Sequence, residues 1–141
     1  MKDEALSQTR LTEVARAIAK RKVSSEEVVR NSLGQLEKHG SSLNCMVRLF
    51  TENVLEAAKK ADQELASGNS RGRIHGVPPT HKDMFYRAGQ ITACGSKICE
   101  SYLPKNTATV LLNLEQEGAL DLGRLNMVEF AYGLTGHNEI T

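Results

Sequence analysis

Gly76-Val77-Pro78-Pro79-Thr80-His81-Lys82-Asp83-Met84-Phe85-Tyr86 places a lysine inside an extended, mostly apolar stretch. Pro78 and Pro79 lack backbone donors and hold the chain extended on entry. From Thr80 onward the side chains of a strand alternate, so Thr80, Lys82 and Met84 share one face and His81, Asp83 and Phe85 the other. A lysine shielded by apolar neighbours can lose its proton and act as a base, whereas a solvated one cannot. An ordinary lysine pKa of about 10.4 leaves only ~0.04% of the amine neutral at pH 7. Lowering it to near 7 takes roughly 4–5 kcal/mol in favour of the neutral form. Shielding of Lys82 is therefore the question on which function turns.

Working back toward the N-terminus, three amphipathic helices are expected. The first covers about Thr9 to Arg21, with Leu11, Val14, Ala15, Ile18 and Ala19 at helical spacing. The second opens on Ser24-Ser25-Glu26-Glu27, a capping box in which Ser24 and Glu27 satisfy each other's loose backbone donors. It carries Val29, Leu33 and Leu36 and is expected to stop near Gly40. The third follows a Thr51 cap and presents Val54, Ala58, Ala61 and Leu65 before Gly68. Between the second and third, the β-formers from Leu43 to Phe50 read as a strand. Ser67 to Arg73 is a Gly/Ser/Arg linker.

Downstream of the opening stretch, Ala88 to Pro104 has loop chemistry. Thr107 to Gly118 reads as a fourth helix with Val110, Leu111 and Leu114 on its buried side. Ala119 to Leu122 reads as a strand, Gly123 to Met127 as a tight turn after it, and Asn126 to Tyr132 as a short helix. Alternating helix and strand indicate an α/β fold with a sheet flanked by helices. Two residues conflict with this pattern: Pro79 removes a ladder donor, and Asp121 puts a carboxylate in a strand that should be buried.

The chain has 141 residues, enough for one domain with a core. Its formal charge of +1 and aromatic fraction of 4% supply neither a basic footprint nor stacking platforms, so no nucleic-acid partner is expected. The opening Met1-Lys2-Asp3-Glu4-Ala5-Leu6 is polar and has no apolar core of signal-peptide length, and no run approaches the roughly 20 apolar residues that span a bilayer. Cys45, Cys94 and Cys99 form an odd set without paired spacing, consistent with reduced thiols and a cytoplasmic location. His39, His75 and His137 lack ligand spacing with one another or with the cysteines, so neither a metal nor another cofactor is expected. His81, on the face opposite Lys82, reads as structural.

Taken in order, Ser24-Ser25-Glu26-Glu27-Val28-Val29, Leu43-Asn44, Gly76-Val77-Pro78, Lys82-Asp83, Cys94-Gly95-Ser96, Thr107-Ala108-Thr109-Val110 and Gly118-Ala119 form a recognisable series. It continues with Gly123-Arg124-Leu125-Asn126-Met127, Glu129-Phe130-Ala131 and Gly136-His137-Asn138. This series resembles the N-terminal part of the amidase signature family, whose members include amidases of linear carboxamides and A subunits of tRNA-dependent amidotransferases. The resemblance implies an α/β fold in which residues 1–141 form a single N-terminal segment, with a mixed β-sheet flanked by helices and left incomplete. It also implies a Ser–cis-Ser–Lys mechanism in which Lys82 takes the place of the catalytic base. The nucleophilic serine attacks the amide carbon and releases ammonia or an amine.

Both serines of the family belong to a Gly/Ser-rich signature that does not occur in these residues. Ser96 follows a glycine, but the resemblance places it in a loop near the site, together with Gly95, while Asn126 and Met127 stand close by. Asp83 either orients backbone beside the lysine or sits in water. The expectation is of a truncated segment, inactive alone, with Lys82 still charged and a small carboxamide as substrate of the full-length family. Two alternatives stand beside it. One is a segment of an amidotransferase A subunit; the other is a non-enzymatic module that self-associates through an exposed sheet edge.

Overall fold

The computed structural model describes residues 6–140. Most of the polar opening, and Thr141 at the other end, lie outside the described residues. Helix α1 spans Leu11–Ala19 and buries Val14, Ala15 and Ile18. Leu11, expected on the buried stripe, is exposed, as is Ala19. They lie at the two ends of the helix, beyond the middle turns that meet the core.

Helix α2, Ser25–Leu43, begins with the expected capping box. The Glu27 amide donates to Ser24 Oγ at 3.0 Å and the Ser24 amide to Glu27 Oε2 at 2.7 Å. Asp62 completes the cap from another helix, accepting the amides of Ser25 at 2.7 Å and Glu26 at 3.1 Å. A carboxylate there also meets the positive end of the helix dipole. The expected stop at Gly40 is corrected by the structure. The helix continues to Leu43, and Asn44, with φ 44°, takes the left-handed position that ends it. Asparagine tolerates that conformation, so Gly40 is not needed there.

Strand β1 is Met46–Leu49. Helix α3, Thr51–Ala66, follows at once, with Phe50 rather than the expected Thr51 at the cap position. The guanidinium of Arg21 closes the far end of α3 by donating to the carbonyls of Leu65 and Ala66. Beyond the linker come β2, Thr80–Lys82, and α4, Thr109–Gln116. In α4 Leu111 is buried, but Val110, expected beside it, is 45% exposed. The last strand, β3, is Gly123–Leu125.

The sheet order is β1-β3-β2, with β1 antiparallel and β2 parallel to β3. This corrects two expectations: the strand placed at 119–122 begins at Gly123, and the supposed turn at 123–127 opens with the central strand. The cause is local chemistry. Residues 119–122 run beside the proline segment, and Leu120 and Leu122 donate to the carbonyls of Val77 and Pro79. Pro78 and Pro79 have no N–H to return, so a reciprocal ladder starts only at Thr80, opposite Gly123. Pro79 thus sits just outside the strand it was expected to spoil. A Cβ on Gly123 would lie 2.3 Å from the Arg48 carbonyl, so only glycine permits this close pairing.

The expected helix over 126–132 is reduced to one 3-10 turn, Glu129–Ala131, in which Phe130 has φ 51°. Asp121 is not stranded: Arg87 Nη2 stands 2.9 Å from its carboxylate and His81 Nε2 3.4 Å away.

Two apolar clusters share α2. Val28 joins Val14, Ile18, Val23 and Val77, while Val29 joins Val54, Ala58, Ala61, Leu120 and Leu122. Buried His75 ties α3 to the linker, with its Nε2 2.9 Å from the Ala61 carbonyl and its Nδ1 accepting the Arg71 amide. The strand ends that carry the site project beyond these clusters.

Candidate functional site

Lys82 is the last residue of β2 and lies opposite Leu125 of β3. The strand expected to run on through Phe85 stops at Lys82, because the Phe85 amide turns back to the Lys82 carbonyl; Lys82 and Met84 are nonetheless exposed while Asp83 is buried. The lysine opens into a groove walled by residues 43–45, 125–128 and 131–138. Among the described residues its ammonium has no hydrogen-bond or ion-pair partner. Apolar shielding of this amine is therefore not a property of these residues by themselves.

Behind the lysine, Asp83 is 2% exposed and its Oδ1 receives Arg124 Nη1 at 2.8 Å. Its Oδ2 accepts the Ala93 amide at 2.9 Å. Arg124, itself 1% exposed, also donates to Thr92 Oγ1, to the Ile91 carbonyl and to Gln90 Oε1. A buried carboxylate persists only when it is paired and hydrogen-bonded, and here both conditions are met. Of the two roles left open for Asp83, orienting nearby backbone is the one its bonds describe; it does not sit in water.

On the groove side, the Asn126 amide donates to the Cys45 carbonyl and its Nδ2 to the Asn44 carbonyl, each at 2.8 Å. Met127 is buried beside it. Asn138 Nδ2 bridges the Met127 carbonyl at 2.8 Å and the Gly95 carbonyl at 2.9 Å. Gly95 has φ 64°, and a Cβ there would lie 2.7 Å from the Met127 carbonyl. Ser96 Oγ donates to Glu129 Oε1 at 2.6 Å and accepts the Ile98 amide. Lys82, Asn126 and Met127 thus share one groove. Gly95 and Ser96 brace its far wall, and Asp83, in the turn after the strand, points into the interior instead.

Burial pushes the Cys94 thiol up from its ordinary range, with Cys99 and Asp83 adding to the effect. That disfavours a nucleophilic thiolate beside the groove. His81 packs edge-on to Phe85 and faces Asp121, a structural position. Among the described residues no three of His, Cys, Asp and Glu are grouped to hold a metal ion. No helix among them is long and apolar enough to cross a membrane.

Arg124 and Asn138 stand in the family series, but the sequence reading assigns neither a role. A presumed turn at 123–127 hides Arg124. The available signal is its opposite charge to Asp83, on a segment of similar apolar character. Asn138 ends the Gly136-His137-Asn138 run, where its type alone carries no role.

The family model described as Amidase matches residues 27–141. The chain belongs to the amidase family. It is 39% identical over 128 residues to the A subunit of the glutamyl-tRNA(Gln) amidotransferase of Pseudomonas aeruginosa, covering 91% of this chain and 26% of that one. Against the corresponding protein of Nitrosococcus oceani it is 41% identical over 123 residues, covering 87% and 25%. Among solved structures, a fatty acid amide hydrolase superposes with a TM-score of 0.92 at 25% identity, over 99% of this chain and 25% of the other. An amidase family protein from Bacillus anthracis gives 0.78 at 30% identity, over 91% and 26%. This amidase-family chain spans about a quarter of the length of the curated relatives it matches.

Proposed function

We propose that these residues carry the lysine of a Ser–cis-Ser–Lys centre that hydrolyses carboxamide C–N bonds, with Lys82 as the base. The observation that carries the reading is the place of Lys82 within the family match, at a strand end, with its amine open to a groove. The reading needs the Gly/Ser-rich signature that carries both serines and the shielding that makes the amine a proton acceptor, and neither is found in these 141 residues. The chain by itself is therefore inactive, and the substrate class is a small carboxamide.

A chimera tests this. Residues 1–141 replace the matching N-terminal quarter of an active amidase, and ammonia release from a small carboxamide is measured. Turnover that disappears with Lys82→Ala is the expected result. Turnover that survives the substitution overturns the role of Lys82, and ammonia release by the chain alone overturns its inactivity.

A second reading keeps the chemistry but changes the acceptor. The amidotransferase relatives at 39–41% identity favour it. In that case ammonia taken from glutamine passes to an activated aminoacyl-tRNA. A chimera built on one of those relatives then supports glutamine-dependent amidation where the amidase chimera fails.

A further inference from the structure

We propose that the buried Asp83–Arg124 ion pair is the positioning element of Lys82, holding the lysine-bearing strand end against the 90–96 loop and so aiming the amine into the groove. The inference rests on the reading of Lys82 as the reacting lysine.

The register of β2 supplies the first part of the argument. Lys82 ends the strand with its side chain exposed and Asp83, the first residue of the turn after it, is buried, so slipping one residue exchanges their places. Slippage here would drive the Lys82 ammonium inward and expose Asp83, leaving Arg124 without its carboxylate. An unpaired buried charge is among the costliest features a fold can contain, so this pair allows only one register. Lys82 faces outward because Asp83 is claimed from behind.

The second part is the shape of the arginine cluster. Its Nη1 reaches Asp83 at 2.8 Å, Thr92 Oγ1 at 3.0 Å and the Ile91 carbonyl, and its Nη2 reaches Gln90 Oε1 at 3.0 Å. Asp83 in turn takes the Ala93 amide on its side chain and the Cys94 amide on its backbone carbonyl. Its own amide donates to the Leu125 carbonyl of β3. A planar fork with fixed directions sets geometry, whereas an apolar pair of equal volume would only fill space. From the same loop the Gly95 carbonyl reaches Asn138 at 2.9 Å. The pair therefore joins the lysine to one wall of the groove through Leu125 and to the other through the loop.

The test reads the lysine itself. Its ε-CH2 is followed by NMR in lysine-labelled chain and assigned by its loss in Lys82→Arg. Acetylation of Lys82 by an N-hydroxysuccinimide ester is compared with that of Lys97 and Lys105 by peptide mass spectrometry. Arg124→Met and Asp83→Asn are set against Ile18→Val, a core change in helix α1. In the two pair variants, the ε-CH2 resonance of Lys82 is expected to shift and broaden, with a several-fold change in relative acetylation. Amide exchange over residues 90–94 is expected to rise at least about tenfold, as local opening of a released loop would give. Ile18→Val is expected to move none of these, and Arg124→Lys, which keeps the charge but not the fork, is expected to restore the acetylation ratio in part.

Folded pair variants with an unchanged ε-CH2 resonance and unchanged acetylation overturn the proposal. If neither pair variant folds, Arg124→Lys decides alone, because unaltered lysine signals together with faster loop exchange would show a merely structural clamp. None of these readouts depends on amide turnover. The positioning role and the catalytic reading of Lys82 can therefore fail separately.

Discussion

The helical half of this molecule and its groove end are held by different forces. Around α2 the filling is apolar, with Ile18, Val29, Val54 and Ala58 essentially free of solvent. At the groove end the largest buried side chain is Arg124, and the walls are fixed by amide and carboxylate bonds reaching across the chain. Beyond them, Phe130 and Ala131 both have positive φ, while Tyr132 and Leu134 stand in solvent. Apolar packing tolerates small shifts and degrades gradually, whereas a directional polar network loses several bonds when one member goes.

The largest effect should come from the network. Arg124→Ala strands a buried carboxylate and is expected to cost about 3–5 kcal/mol in urea unfolding. Ile18→Ala in the helical half is expected to cost about 2–5 kcal/mol by leaving a cavity. The informative difference lies in where amide exchange accelerates. Ile18→Ala should loosen α1 and α2, and Arg124→Ala should loosen residues 90–96. Uniform acceleration in both variants would erase the distinction between the two regions.

Smaller effects sharpen it. Ser24→Ala removes the hydroxyl cap of α2 and is expected to cost about 1 kcal/mol. Acid should act on the helical half through two glutamates. Bonds from the Ser24 amide and hydroxyl hold Glu27 below the ordinary glutamate range, and the Arg71 guanidinium does the same for Glu64. A carboxylate lowered by folding contributes stability above its unfolded pKa and loses it as pH falls through the folded value. Stability should therefore decline on acidification below the usual glutamate range. In a Glu27→Gln, Glu64→Gln variant the fall should be shallower, as thermal melts across pH 2–6 (about the window set by glutamate's reference value) would show. An identical acid slope would remove these two groups from the account. Last, Leu134→Ala, on a side chain standing wholly in solvent, is expected to change stability by less than about 0.5 kcal/mol.

Much of the helical half is legible from the sequence because its signals are local. The Ser24–Glu27 capping box spans one helical turn, and the stripes of α1 and α3 repeat within two or three turns. Misreadings arise where a local signal has a competitor. Gly40 looks like a helix stop, yet Asn44 supplies the left-handed residue four positions later. Residues 119–122 look like the strand because they are apolar, but two prolines deny them a returning ladder. In the site, alternation alone sets Lys82 and Asp83 on opposite faces, and the family series marks Lys82, Gly95, Ser96, Asn126 and Met127.

From its own order of residues the chain determines most of its helical half, the separation of Lys82 from Asp83 and its membership of the amidase family, while which of the two side chains faces outward is left to tertiary structure. Tertiary structure alone decided that Asp83 is buried with Arg124 and that Asn138 ties Gly95 to Met127. Asp83 and Arg124 lie 41 positions apart, and Gly95 and Asn138 lie 43 apart. No periodicity or capping rule extends that far. Such bonds form only once the sheet has brought β2 and β3 side by side, where the penalty for an unpaired buried charge selects the partner.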